Sequence, residues 1–476
     1  MATFPSIRPS SRSHALTLVT AVIGAALAAS LFYTPIPFAI FIAIPFFIYF
    51  GTRPYELLLV MVFLIPFNFI VPIGPVPVAA ELLKVFVWVP FLVSRWGKQA
   101  SFCTSKYNKY FTVIAALLFL SLFRSHDFPY TIKECVRLAS NIGLCYVLLN
   151  LVDTREKVMD ILRVLTASCF LVAAYGLYQF AIQDYGPLFW IVNPRLDTGL
   201  SHYRDTFWPW RNRIVSVLTS EMELGHYFNL CLPIGVLLWT VEGRKRVGSK
   251  WFWTVLAMLA GLVLTFTFSA WLALLATSGL YFLFFAKKGS RSKALIAGVI
   301  LLAIIVAVLT GPLQPFVEGK LLSTGVGSVA WDLATRAGMW MFALQTWWSH
   351  PLIGVGVGNY EVLSSSTDWV LGAQSLGTTP HQTYFYLLAI FGVIGTACIL
   401  AVLLGTVRAN FALRNPAFRL IGLAIAFGLV ANMIGSFGDD STMFGPHTSY
   451  LVWLLVGLSE AIHNLAALQP PIKQAE

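Results

Sequence analysis

The chain has 476 residues, of which 58% are hydrophobic and 11% charged, with a mean hydropathy of +0.76. A soluble protein of this length carries far more charge, so the composition excludes a soluble enzyme and points to an all-α, polytopic membrane protein. The net charge of +11 does not imply nucleic acid, because the bases are dispersed over short loops between apolar runs, the pattern that orients membrane helices.

In chain order, apolar runs of spanning length fall at 15–34, 35–51, 54–72, 77–94, 109–124, 130–151, 157–181, 213–240, 251–268, 270–286, 293–312, 381–407, 418–435 and 447–466. Twelve to fourteen transmembrane helices are therefore expected, the short second run and the pair divided at Ser269 being the ones in question. The N-terminus, with Arg8 and Arg12 before its first run and no small-residue cleavage signature, reads as an uncleaved helix. With both termini inside, 21 of the 32 basic residues fall on the cytoplasmic side, as the orientation rule requires. Five of the six cysteines lie within runs and Cys103 lies in a basic loop, so no disulfide framework or CxxC metal site is expected. The organisation is N-terminal transmembrane helices (1–181), a first outer loop (182–212), central helices (213–312), a large outer loop with an interfacial helix (313–380) and C-terminal helices (381–476).

The two outer loops are the only long connections and hold eight of the fifteen tryptophans, which suits segments folded against the headgroup interface. The first concentrates Arg195, Arg204, Arg211 and Arg213 before a span, against the usual charge bias. An anionic ligand at the outer leaflet explains this, since guanidinium matches phosphate oxygens in a planar fork; lipid headgroups are the simpler alternative. Arg213 is expected to point inward, with Glu221 and Glu223 about two turns into the span and Glu221 available as its ion-pair partner.

The stretch Trp331 to Gly395 carries the densest chemistry. Its first part is too short and broken to span a bilayer and is expected to lie at the membrane surface. On a 100° wheel Arg336, Trp340 and Trp347 fall within about 40°, so the guanidinium shares a face with indole rings, while Asp332 offers an i,i+4 partner. Pro351 and the glycines 354, 356 and 358 follow; without a preceding strand or a Lys-Ser/Thr pair this is a tight backbone reversal and not a phosphate loop. Thr379 and Pro380 then read as the cap and first residue of a helix starting at His381, whose imidazole at a positive dipole end favours the neutral form and could accept a hydroxyl proton. Pro446-His447-Thr448-Ser449-Tyr450 repeats the pattern of Pro380 to Tyr384, and Asp439 and Asp440 are competing bases. No aspartate pair or His/Glu cluster stands at ligand spacing, so neither a metal nor another cofactor is expected.

Arg336, the segment His350–Tyr360, and His381-Gln382 followed after nine residues by Gly392-Val393-Ile394-Gly395 together resemble the O-antigen ligase and polymerase superfamily, most closely over residues 250–400. The spacing His-(Asn/Ser/Gln)-x9-Gly-x-x-(Gly/Thr/Tyr), associated with the ligases, is matched at every fixed position. Two positions depart from the ligase pattern: Val215 and Val217 stand four residues after Arg211 and Arg213 in place of leucine, and Ala270 follows Ser269 where an arginine is common.

The resemblance implies a GT-C-type glycosyltransferase of the bacterial inner membrane, with its site facing the periplasm. It would move a glycan from undecaprenyl diphosphate to lipid A-core or another glycan acceptor, without metal or nucleotide sugar. Carried over, Arg213 and Arg336 would hold the diphosphate and His381 would activate the acceptor hydroxyl. Arg211, Glu221, Trp340, Trp347, Tyr384 and His447 are the expected substrate-binding residues, and Arg336 and His381 should share one outward-opening cavity. A polysaccharide polymerase within the same superfamily and a lipid-linked sugar transporter or flippase are the alternatives; a transporter would place ionisable groups at mid-bilayer in matched halves.

Overall fold

The computed structural model describes residues 53–67, 72–73, 76–77, 87–88, 91–92, 102–192, 213–285, 326–366 and 379–468. Apart from a two-residue antiparallel pairing of β1 (Pro72–Ile73) with β2 (Val76–Pro77), the described elements are helices: α1 (Pro54–Leu64), α2 (Asn108–Phe123), α3 (Phe128–Leu151), α4 (Arg155–Ile182), α5 (Gly186–Val192), α6 (Glu221–Val241), α7 (Lys250–Leu264), α8 (Phe268–Phe285), α9 (Val326–Ser349), α10 (Asn359–Ser366), α11 (Thr383–Ala412), α12 (Pro416–Gly435), α13 (Ser441–Phe444) and α14 (Thr448–Leu468).

Five of these, α4, α6, α11, α12 and α14, are long and apolar enough to cross a membrane, and α1, α2, α7 and α8 are shorter apolar helices. The all-α polytopic membrane class expected from composition is thus the class found. The runs at 15–34, 35–51 and 293–312 lie outside the described residues, as does most of 77–94.

Helix starts follow short polar caps that satisfy orphan N–H groups. Asp127 accepts from Tyr130 N–H at α3, Thr154 from Lys157 N–H at α4, Ser220 from Glu223 N–H at α6 and Asn415 from Ala417 N–H at α12. Around these starts α6 packs on α12 and α7, α14 on α3, α11 on α12 and α2, and α9 on α11. One connected apolar core runs through them, from Leu57 and Leu58 of α1 to Leu465 of α14. Large apolar side chains such as Phe119, Phe123, Trp253 and Leu272 face outward, as lipid contact requires.

Three expected boundaries are corrected. The run 54–72 is helical only to Leu64, where Pro66 follows. The run 213–240 begins its helix at Glu221, because Ser216 takes a positive φ of 55° and Ser220 provides the cap; Glu221 and Glu223 lie in the first turn of α6, not two turns in. The break between α7 and α8 falls at Thr265–Thr267, where Phe266 has φ 49°, and leaves Ser269 inside α8.

Candidate active site

The turn joining α12 to α14, Ser436 to His447, is the floor on which the polar residues converge. Asp439 folds it locally, accepting Ser441 N–H at 3.1 Å and Ser441 Oγ–H at 2.5 Å. The start of α11 is tied to the same turn. Thr383 N–H donates to Ser436 O at 3.0 Å and Thr383 Oγ1 donates to Asp439 O at 2.8 Å. Thr442 Oγ1 lies 2.9 Å from Thr383 Oγ1 and 2.7 Å from Ser436 Oγ, closing a buried hydroxyl cluster.

Three candidate side chains meet this floor within three residues of backbone, and a fourth is tied to the residue before His381. Arg336 of α9 donates from Nη1 to Gly438 O at 3.5 Å. His226 Nε2 of α6 stands 3.6 Å from Asp439 Oδ2 and 3.2 Å from Ser269 Oγ of α8. His381 Nδ1 stands 3.8 Å from Asp440 Oδ1. Trp340, one turn after Arg336, donates from Nε1 to Pro380 O at 3.0 Å, locking α9 against the residue before His381. Arg336 and His381 therefore both reach the stretch Gly438 to Asp440, although they lie 45 positions apart in the chain.

The local structure at His381 differs from expectation. Gln382 is the cap of α11, accepting Phe385 N–H at 2.6 Å, and the helix begins at Thr383, so Thr379 and Pro380 lie outside it. His381 sits just before the cap with φ 49°, in the left-handed region that a non-glycine residue occupies at a cost and that clusters at functional sites. Its side chain is 33% exposed. Beside it Asp440 is buried, and burial, reinforced by the Asp439 charge, pushes its carboxyl up to about 7.

His381, Asp439 and Asp440 bring three ligand atoms within 4.8 Å of one another, a cluster that sequence spacing did not reveal because 58 residues separate its histidine from its first acid. Two oxygens and a nitrogen could hold a small divalent cation. Two features favour a shared proton instead: each Asp439 oxygen already accepts a Ser441 donor, and Asp440 holds its proton to near neutrality, where a protonated carboxyl is a poor ligand.

A second layer lies behind the floor. Glu223 is fully buried in the first turn of α6; its Oε1 accepts His447 N–H at 2.7 Å, its Oε2 accepts Thr219 Oγ1–H at 2.6 Å, and His447 Nδ1 lies 3.1 Å from Oε2. Two residues earlier, Glu221 pairs with Arg213 at 2.9 Å, the partner anticipated from sequence. The irregular segment carrying Arg213 is held by Gln179 of α4. Its Oε1 accepts Ser216 N–H at 2.7 Å and Val215 N–H at 3.3 Å, and its Nε2 donates to Ser216 O at 2.9 Å and Tyr185 O at 2.7 Å.

The glycine turn after α9 is a wedge. Val355 N–H donates to Ala389 O and Gly356 N–H to Ile390 O, while Val393 N–H donates to Pro351 O and Ile394 N–H to Leu352 O, at 2.9 to 3.1 Å. α11 opens to receive it at Gly392, with φ 61° and ψ −167°. A Cβ on Gly392 would meet the Leu352 carbonyl carbon at 2.3 Å, and one on Gly354 the Ile390 carbonyl carbon at 2.4 Å. The expected backbone reversal is present; its role is to lock α9 and α11 together below the Arg336–His381 site.

Of the remaining expected binding residues, Trp347 lies at the far end of α9, donating to Pro351 O at 3.2 Å, about 16 Å along the helix from Arg336. The shared wheel face is cancelled by helix length, and Trp347 does not join the site. Tyr384 is an anchor, its hydroxyl donating to Met433 O at 2.6 Å. His447 is buried in the layer behind the floor, and Arg211 lies outside the described residues. The sequence reading missed His226 and Gln179; an ionisable His226 inside an apolar run was the one local signal available.

A search among curated proteins finds no match. A family model described as O-antigen ligase matches residues 253–400, the segment that carries α9, the glycine wedge, His381 and the kinked half of α11. The residues that carry the resemblance, Arg336, the glycine turn and the histidine spacing, fall within this matched segment, which is similar to the O-antigen ligase family over 148 of the 476 residues.

Proposed function

We propose that this protein is a glycosyltransferase of the inner membrane that moves a glycan from undecaprenyl diphosphate to an acceptor sugar hydroxyl on the periplasmic side, as in ligation of O-antigen to lipid A-core. The observation that carries this reading is the meeting of Arg336 and His381 on the backbone stretch Gly438 to Asp440. Displacing a diphosphate moves negative charge onto its bridging oxygen, which preorganised guanidinium groups stabilise by a few kcal/mol each. Arg336 serves this role directly, and Arg213, held by Gln179 and Glu221, is the second candidate.

In the step, the acceptor oxygen attacks the anomeric carbon, and the bond to the diphosphate breaks with its electron pair leaving on phosphate. The hydroxyl proton passes to His381. A single direct displacement inverts the anomeric centre. Asp440 stands where it stabilises the imidazolium that forms. Charge on the leaving group is met by arginine, so the step needs no metal.

The test is transfer in vitro from purified polyprenyl-diphosphate glycan with the protein in nanodiscs. Product formed with no energy source supports the reading. Joining two lipid-linked units would make the protein a polymerase, and translocation with no new glycosidic bond would overturn the transferase.

A further inference from the structure

His226 of α6 has no part in the step above, yet it stands directly behind the floor. Its side chain is 0% exposed, too enclosed to touch a substrate, and the Asp439 side chain beside it is 2% exposed. Nε2 lies 3.2 Å from Ser269 Oγ and 3.6 Å from Asp439 Oδ2, while Nδ1 is buried with no hydrogen-bond partner. A neutral imidazole carries its proton on one nitrogen only. On Nδ1 that proton would be an orphaned buried donor, so the geometry puts it on Nε2, facing the serine and the carboxylate.

The floor is shaped to admit this ring. A Cβ on Gly435 would meet Cε1 of His226 at 2.3 Å and Nδ1 at 2.5 Å, and a Cβ on Gly438 would meet Cβ of Ser269 at 2.9 Å. Two glycines therefore hold open the seats of His226 and Ser269. On the other side of Asp439 stand the groups of the proposed step. Gly438, one residue before it, lends its carbonyl to Arg336, and Asp440, one residue after it, faces His381. The Ser441 donors to Asp439 belong to the same turn, so they fold it without placing it. His226 refers the turn to α6.

We propose that His226 is a positioning residue for glycan transfer: its Nε2–H holds the Asp439 carboxylate, and through it sets the Gly438–Asp440 backbone so that Arg336 and His381 are aligned on one glycosidic bond. This rests on the transferase reading above.

The experiment measures kcat, KM and melting temperature for variants of the full-length protein in nanodiscs, with a polyprenyl-diphosphate glycan donor and an alkyl glycoside acceptor. His226→Leu fills the seat without a donor and lowers kcat about 10²-fold, the loss that a misplacement of roughly 1 Å causes, with the KM of the lipid-linked donor little changed. His226→Gln recovers most of the rate, because its amide nitrogen reaches the place of Nε2. His226→Asn, whose amide reaches only the place of Nδ1, does not. Adding His226→Leu to Asp439→Ala slows the enzyme no further than Asp439→Ala alone, since a residue acting through Asp439 has nothing left to hold. Gly435→Ala drives the ring from its seat with its chemistry intact, lowers kcat as well, and carries the test if His226→Leu fails to fold. An unchanged kcat in the folded variants overturns the positioning role while leaving the transferase intact. Equal losses in the Leu and Gln variants, or additive losses in the double variant, also overturn it, because they mark a ring that only fills space. Failure of the unaltered protein to transfer overturns both.

Discussion

Pro380-His381-Gln382-Thr383-Tyr384 and Pro446-His447-Thr448-Ser449-Tyr450 share a sequence pattern and both precede a membrane-spanning helix, yet the two histidines have opposite surroundings. His447 is 1% exposed and locked to Glu223, with its N–H spent on the same carboxylate. His381 is one-third exposed, strained into the left-handed region and only loosely approached by Asp440. A fully buried histidine beside a buried carboxylate helps hold helices together; one that is one-third exposed with an acid behind it can move a proton. The two copies share Pro-His and Tyr and differ at the two positions between, where Gln382 caps α11; what packs against them differs as well: α6 on His447, and α9 with the 438–440 turn beside His381.

The comparison breaks most sharply in activity. His381→Ala and Arg336→Ala are each expected to lower the transfer rate by about 10³-fold, with the protein still inserted and folded, as single-turnover assays on purified variants would measure. His447→Ala should act the other way round, lowering stability by about 1 to 3 kcal/mol because it takes the imidazole from beside the buried Glu223 carboxylate, with the melting temperature as the readout. If His447→Ala melts normally and loses only activity, the division of labour between the copies is wrong.

Smaller effects sharpen the picture. Gly392→Ala places a methyl group against the Leu352 carbonyl in a left-handed residue and should cost about 1 to 3 kcal/mol in stability while lowering transfer, because α9 can no longer seat against α11. Asp440 sets a pH dependence. Its folded pKa of about 7 lies above the ordinary carboxylate range, so the folded state holds a proton that the unfolded chain has lost. Its contribution to stability is present below the unfolded value and is lost as pH rises toward 7. Activity runs oppositely, because the carboxylate that appears above about 7 stabilises an imidazolium at His381. The rate should therefore climb through neutral pH, and Asp440→Asn should flatten that limb and reduce the rate about tenfold in a pH-rate profile. Smallest of all is the response to a chelator: transfer in EDTA should change by less than about twofold, and a larger loss restored by a divalent cation would mean that His381, Asp439 and Asp440 bind metal after all.

Much of this was legible in the residues. Hydropathy determined the class of the protein, because a bilayer demands apolar runs whose backbone is satisfied within each helix. The starts of α3, α4 and α12 fall within two residues of the apolar runs at 130, 157 and 418, since hydropathy marks where a span begins. Arg336, His381 and the glycine turn were visible because unusual residues at fixed spacing stand out against an apolar background. Charge alone also suggested that Glu221 would answer Arg213.

Tertiary structure decided the rest, for reasons of distance along the chain. The floor from Gly438 to Asp440 joins α9, α11, α6 and α8, and no periodicity links positions so far apart. Gln179 holds the Arg213 segment through backbone groups, which leave no residue-type signature in the partner. Wheel angle put Trp347 beside Arg336, but rise along the axis separated them. Which of two matching histidines is free to react depended on the helices that closed around each one, and that is a property of packing which neither copy carries in its own five residues.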